Sequence, residues 1–80
     1  MVRKKSERIA EKLLIIRTDL GLSQRGLIRA MGLEGELSQG EISMFESGRR
    51  IPSMLVLRKY AILGKTWIDY IVDDELDFPR

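Results

Sequence analysis

Cysteine and histidine are both absent from this 80-residue chain. The first absence excludes disulfides. Together they remove the usual ligands of zinc and haem and the commonest nucleophiles and proton shuttles of enzymes. No metal, no cofactor and no catalysis are therefore expected. The acidic run Asp73, Asp74, Glu75 does not change this, because catalytic metal carboxylates are normally brought together from separated elements. Long apolar runs are missing too. Leu13–Ile16 stands between Lys12 and Arg17, too short to cross a membrane or to serve as a secretory signal behind "MVRKK". A soluble, cytoplasmic chain with no membrane contact is the expectation. Alternating strand patterns and repeats are also missing, which leaves helices.

What is present suits one small domain. Apolar residues make up 44 % of the chain. At this length folding buries only roughly 60 % of the unfolded surface, so self-association is a common remedy for marginal stability. The net charge of +2 is unevenly spread. Residues 1–50 carry ten Lys/Arg against seven Asp/Glu, and residues 51–80 carry four against five. Arg3, Lys4 and Lys5 cluster near one end and Arg49 and Arg50 are adjacent, a distribution that suits a polyanion. The division expected is a basic arm over 1–5, a helical domain over 6–72 and an acidic tail over 73–80 that is loose or irregular.

Breaks by Gly and Pro divide the domain into five helices. Ser6 is placed to cap the first, which runs to Leu20 with Ile9, Leu13, Ile16 and Leu20 as an inward stripe and Gly21 as its stop. Ser23 caps Gln24–Met31, with Leu27, Ile28 and Met31 inward and Gly32 at its end. Ser38 caps Gln39–Ser47 and Gly48 ends it. Pro52 and Ser53 open a fourth helix, with Leu55, Leu57, Tyr60, Ala61 and Leu63 available for burial and Gly64 closing it. Thr66 with Asp69 resembles a capping box for a fifth helix from Trp67 to about Val72. The fold class expected is all-α, a compact five-helix bundle.

The third helix is short and polar, and its faces differ. Taking Ile42 as inward and turning about 100° per residue, Phe45 and Glu46 lie on the same side. A carboxylate there needs a partner, and Arg17, beside the first stripe, is the candidate. Gln39, Gly40, Ser43, Met44 and Ser47 fall on the outer side, slim and uncharged. Such a face fits the major groove of B-DNA. Gln39 matches an adenine edge, Ser43 is a short-range donor or acceptor, and Met44 can touch a thymine methyl. Glu41 points sideways, toward solvent or a cytosine amine. Arg49 and Arg50 would meet phosphates, as would the helix starts after Ser23 and Ser38.

The ordered set "IRTDLGLSQRGLIRAMG", "SQGEISMFESGRRIPS" and "LRKYAILG" closely resembles the helix-turn-helix domain of phage repressors, Cro proteins and their bacterial relatives. The resemblance covers about residues 9–72. It implies a sequence-specific double-stranded DNA-binding transcriptional regulator, a repressor, acting as a homodimer on an operator of two half-sites. It places Ser23 and Gln24 at the start of the second helix, where a polar residue contacts phosphate and supports the recognition helix. Ser38, Gln39, Gly40, Ser43 and Met44 fall at recognition positions, and Gly48 and Arg49 at the loop that clasps the phosphate backbone, with Arg25, Ser47 and Arg50 as further phosphate candidates. Arg17 and Glu46 match that family's structural ion pair. Trp67, Tyr70 and Ile71 fall near the C-terminal helix, where relatives pack or dimerise, and with Phe78 they are expected either to form a dimer or partner surface or to close the core. Three departures stand out. "LEGEL" lengthens the turn before Ser38 and brings Glu34 and Glu36 near the DNA side, either to repel phosphate or to pair with Arg25 or Arg29. Gly26 and Ile28 replace a helix former and a small residue. Gly40 replaces a side chain that often reads a base. The competing expectation is an adaptor of antitoxin or mobile-element type, whose C-terminal segment docks on a protein partner.

Overall fold

A computed structural model describes residues 8–73 and 75–78. Its helices are α1 (Ile9–Asp19), α2 (Gln24–Met31), α3 (Gln39–Ser47), α4 (Met54–Leu63) and α5 (Ile68–Val72). Helix α1 packs against α3, α4 and α5, α2 packs against α3 and α4, and α4 packs against α5. Leu13, Leu27, Ile42, Tyr60 and Ile71, one from each helix, are fully enclosed.

Serine hydroxyls start three of the helices. Ser23 Oγ accepts from Gly26 N at 3.0 Å, Ser38 Oγ from Glu41 N at 3.1 Å and Ser53 Oγ from Val56 N at 3.3 Å. Helix α1 begins at Ile9 behind Arg8, without a side-chain cap. The expected cap Ser6, like the arm Arg3, Lys4 and Lys5, lies outside the described residues. Leu20 is exposed rather than part of the α1 stripe. On α4 the inward residues are Val56, Leu57, Tyr60 and Ala61, with Leu55 facing out and Leu63 half-buried.

The helix ends follow one scheme. In α1, α2 and α3 a glycine takes the left-handed turn, with φ of +69° at Gly21, +72° at Gly32 and +80° at Gly48. The residue after each glycine returns its N–H to the last helical turn: Leu22 to Arg17 O, Leu33 to Ile28 O and Arg49 to Met44 O. Helix α4 closes in the same way one residue late. Lys65 takes φ +52°, Lys65 N donates to Ile62 O at 3.2 Å and Thr66 N donates to Ala61 O at 2.9 Å. The expected stop, Gly64, is right-handed. A Cβ there would lie 3.2 Å from Ile16 Cγ2 and 3.3 Å from Tyr60 O, so the glycine serves the approach of α4 to α1. Thr66 thus belongs to the end of α4. The expected Thr66–Asp69 box does not form: α5 starts behind Trp67 without a side-chain cap, and Thr66 Oγ1 is enclosed without a partner. Since an L-residue in the left-handed region costs roughly 1–2 kcal/mol, Lys65→Gly is expected to raise thermal stability, by about 1 kcal/mol after the extra chain entropy of glycine. Calorimetry of the two proteins checks the sign.

The described residues of the tail are irregular in backbone but docked. Lys12, 1 % exposed, sends its ammonium to the carbonyls of Tyr70 at 2.6 Å, Asp73 at 2.7 Å and Leu76 at 2.6 Å. Arg8 meets Asp77 at 2.8 Å, which raises the Arg8 pKa through the hydrogen bond to that carboxylate, and Phe78 packs on the core. The four residues expected to form a dimer or partner surface or to close the core divide between those roles. Ile71 is fully buried and belongs to the core. Phe78 is half-buried over α1, Tyr70 is half-buried, and Trp67 is exposed at 74 %.

Candidate nucleic-acid interface

Helix α3 is rooted by Ile42 and Phe45, at 0 % and 4 % exposure. Gln39, Gly40, Ser43 and Ser47 are exposed and Met44 is half-buried. These residues occupy one outer side, and among the described residues neither the turn 33–37 nor the tail covers them. Local chemistry fixes the start of the helix. Ser38 and Glu41 cap each other: Glu41 Oε1 accepts from Ser38 N at 3.1 Å and from Ser38 Oγ at 3.3 Å. Glu41 is thereby drawn back to the cap, and its other oxygen lies 3.8 Å from Arg50 Nη1, so it is not turned toward a cytosine. The S-x-x-E spacing of Ser38 and Glu41 is the signal that announces this box.

The orientation of α3 is set from inside. Arg17 Nε donates to Glu46 Oε2 at 2.6 Å and Arg17 Nη2 donates to Oε1 at 3.1 Å, a two-pronged pair with side chains 17 % and 8 % exposed. The bond to Glu46 raises the Arg17 pKa above its ordinary value. Arg17 Nη1 also donates to Leu22 O at 2.9 Å, and Gln24 Nε2 donates to Glu46 Oε1 at 3.1 Å. One carboxylate thus joins α1, the turn after it, the start of α2 and the end of α3. Gln24 thus supports α3 through Glu46, and its Nε2 keeps a second hydrogen. Tyr60 closes the region, its hydroxyl enclosed without a partner and its pKa pushed up by burial.

The lengthened turn is built rather than slack. Leu33 is buried at 7 % and Leu37 packs on the core. Leu33 O accepts from Glu36 N and Leu37 N, both at 3.0 Å. Glu34 stands 3.7 Å from Arg29, and Glu36 is exposed. Arg25 Nε, on the exposed side of α2, donates to Gln39 Oε1 at 3.1 Å. Ser23 Oγ is occupied as an acceptor but keeps its hydrogen for an outside oxygen. Ser47 Oγ donates to Met44 O at 3.2 Å, and Arg49 is exposed just past the helix.

Two helices joined by a turn, the second presenting a small uncharged face, is the arrangement that DNA-reading domains share. A family model described as helix-turn-helix matches residues 7–66. The chain belongs to the helix-turn-helix family. Its type is that of the phage repressors and Cro proteins, and the chain is a DNA-binding regulator of that type. No curated protein and no solved structure gives a match. Among the described residues no three of His, Cys, Asp and Glu come together as a metal site, and no helix is long and apolar enough to cross a membrane.

Proposed function

We propose that the chain represses transcription by sequence-specific binding of double-stranded DNA, with α3 laid in the major groove. The observation that carries this reading is the outer face of α3: slim, uncharged and uncovered, on a helix whose other side is locked by Ile42, Phe45 and Glu46. Gln39, Ser43 and Met44 supply base choice, and Gly40 permits close approach. Arg49, Arg50, the hydroxyls of Ser23 and Ser47, the α3 start behind Ser38 and the arm Arg3, Lys4 and Lys5 supply salt-sensitive contact with phosphates. Gln24, whose Nε2 gives one hydrogen to Glu46, keeps the other for a phosphate.

One such helix reads only a few base pairs. Useful affinity calls for a homodimer whose two copies of α3 meet half-sites about 34 Å apart. Ile62 and Trp67, at 69 % and 74 % exposure near the α4–α5 junction, are the apolar groups suited to that contact. A partner protein docking on the acidic tail has weaker support, because Asp73, Leu76, Asp77 and Phe78 are already engaged with α1 and the core.

Selection of bound duplexes from a random pool tests the reading, giving specificity, site and symmetry together. Gln39→Ala is expected to relax one operator position at a cost of about 1–3 kcal/mol, whereas Arg49→Ala should weaken all sequences alike and flatten the salt slope by about one. Equal losses on selected and random duplexes for both variants would overturn this division of roles.

A further inference from the structure

We propose that Arg25 is a positioning residue for base readout: it holds the Gln39 amide in one orientation and so sets the preference at the base pair Gln39 faces. The inference rests on the reading of α3 as the helix that enters the groove.

Gln39 is the first residue of α3 and its side chain stands in solvent. An unrestrained glutamine there rotates, and its donor and acceptor ends trade places. Arg25 Nε donates to Gln39 Oε1 at 3.1 Å. A guanidinium has donors only, so only the amide oxygen can face it. The oxygen is thereby turned toward α2 and Nε2 away from it. One lone pair of Oε1 and both Nε2 hydrogens remain available, and they match the N6 donor and N7 acceptor of an adenine edge. Ordering the side chain before DNA arrives also reduces the entropy lost on binding.

The long turn explains why Arg25 is free for this role. Arg25 and Arg29 stand one helical turn apart on α2, above a hollow of about 350 Å³ lined also by Ile28, Glu34, Leu37 and Gln39. Glu34 would attract either guanidinium. It is met by Arg29, at 3.7 Å, and Arg25 reaches across to α3 instead. The acidic residue that "LEGEL" brings to the DNA side is thus partnered without drawing on Arg25. The role differs from the phosphate contact that the sequence pattern assigns to this residue, because a phosphate clamp binds every sequence alike.

The test selects duplexes from a random pool with the full chain, Gln39→Ala, Arg25→Met, Arg25→Lys and the double variant Gln39→Ala/Arg25→Met, with circular dichroism as the control for folding. The position at which Gln39→Ala erases the preference identifies the pair it faces. Arg25→Met is expected to lower the preference at that same position by about tenfold and to leave the other positions unchanged. Arg25→Lys, which keeps the charge but lacks the Nε–H that meets Gln39 Oε1, should fail to restore it. In the Gln39→Ala background Arg25→Met should change nothing further there. A uniform loss on selected and random duplexes, with a shallower salt slope, the base preference intact and rescue by lysine, would overturn the proposal and make Arg25 a phosphate contact. If the unmodified chain selects no sequence, the reading of α3 itself fails and this proposal falls with it.

Discussion

Lys12→Met is expected to release the C-terminal segment and to lower the free energy of unfolding by about 3 kcal/mol. The side chain is 1 % exposed and its ammonium lies 2.6–2.7 Å from three backbone carbonyls, those of Tyr70, Asp73 and Leu76. Methionine keeps the apolar stem and about the same length, so the packing of α1 changes little. What goes is the charge and the hydrogen bonds. A hydrogen bond to a charged group contributes roughly 1.5–3 kcal/mol, and a buried acceptor left without a donor costs roughly 1–3 kcal/mol. These terms do not add, because the segment can lift away and rehydrate its carbonyls. The loss is then limited to the docking energy of the segment, including Phe78 and the Arg8–Asp77 pair. For an 80-residue chain, whose total stability is on the order of 4–12 kcal/mol, that is still a large share. Urea unfolding measures the loss, and limited proteolysis locates it: the variant should be cut beyond Val72 under conditions that leave the unmodified chain whole. Equal stability with an equally resistant tail would mean that the stem of Lys12, and not its charge, holds the segment.

The same lysine shows what a sequence conceals. In "IAEKLLIIR" it reads as the polar flank of a short apolar run, and the carbonyls it serves lie 58 to 64 residues away. A backbone carbonyl carries no residue signature, so nothing in the composition of the tail announces the contact. Ile71 and Phe78 are legible as apolar mass, but the choice between core and partner surface depends on whether the tail is folded back. Gly64 and Lys65 exchange roles for a similar reason: the approach of Ile16, forty-eight residues earlier in the chain, decides which of them turns left-handed. Local chemistry is far more readable. The serine starts of α2, α3 and α4 follow from spacing alone, as do the glycine ends of α1, α2 and α3. The inward direction of α3 is also fixed by its own residues, since Ile42 and Phe45 have no other face to occupy. The burial of Glu46 follows from that face, and the stripe of α1 puts Arg17 within reach of it. The turn 33–37 lies between these extremes: Arg25 and Arg29 are legible as candidate partners of its glutamates, but that Glu34 meets Arg29 while Arg25 reaches Gln39 depends on how α2, the turn and α3 are arranged.

Because Glu46 serves Arg17 and Gln24 at once, Glu46→Leu is expected to cost about 3 kcal/mol of stability, more than its short helix would suggest. The carboxylate is nearly enclosed, and deleting it leaves the Arg17 guanidinium half-buried with Leu22 O as the one remaining acceptor recorded for it among the described residues. Arg17→Met leaves the converse, an enclosed carboxylate held only by Gln24 Nε2, and should cost a similar amount. The double variant Arg17→Met/Glu46→Leu replaces the pair by apolar groups of comparable volume. It should be more stable than the sum of the single losses predicts, with a coupling of about 1–3 kcal/mol. A cycle with no coupling would remove the pair as a link between α1 and α3. Stability and function then separate in a useful way. If the pair mainly fixes the angle of α3, the double variant, though folded, should bind its selected duplex more weakly while Gln39 still reads its position. The orientation of the whole helix would have loosened, not the identity of the residue at its tip. Denaturant midpoints together with duplex titrations on the four proteins measure both quantities. A double variant that regains stability and keeps full affinity would mean that Ile42 and Phe45 alone aim the helix.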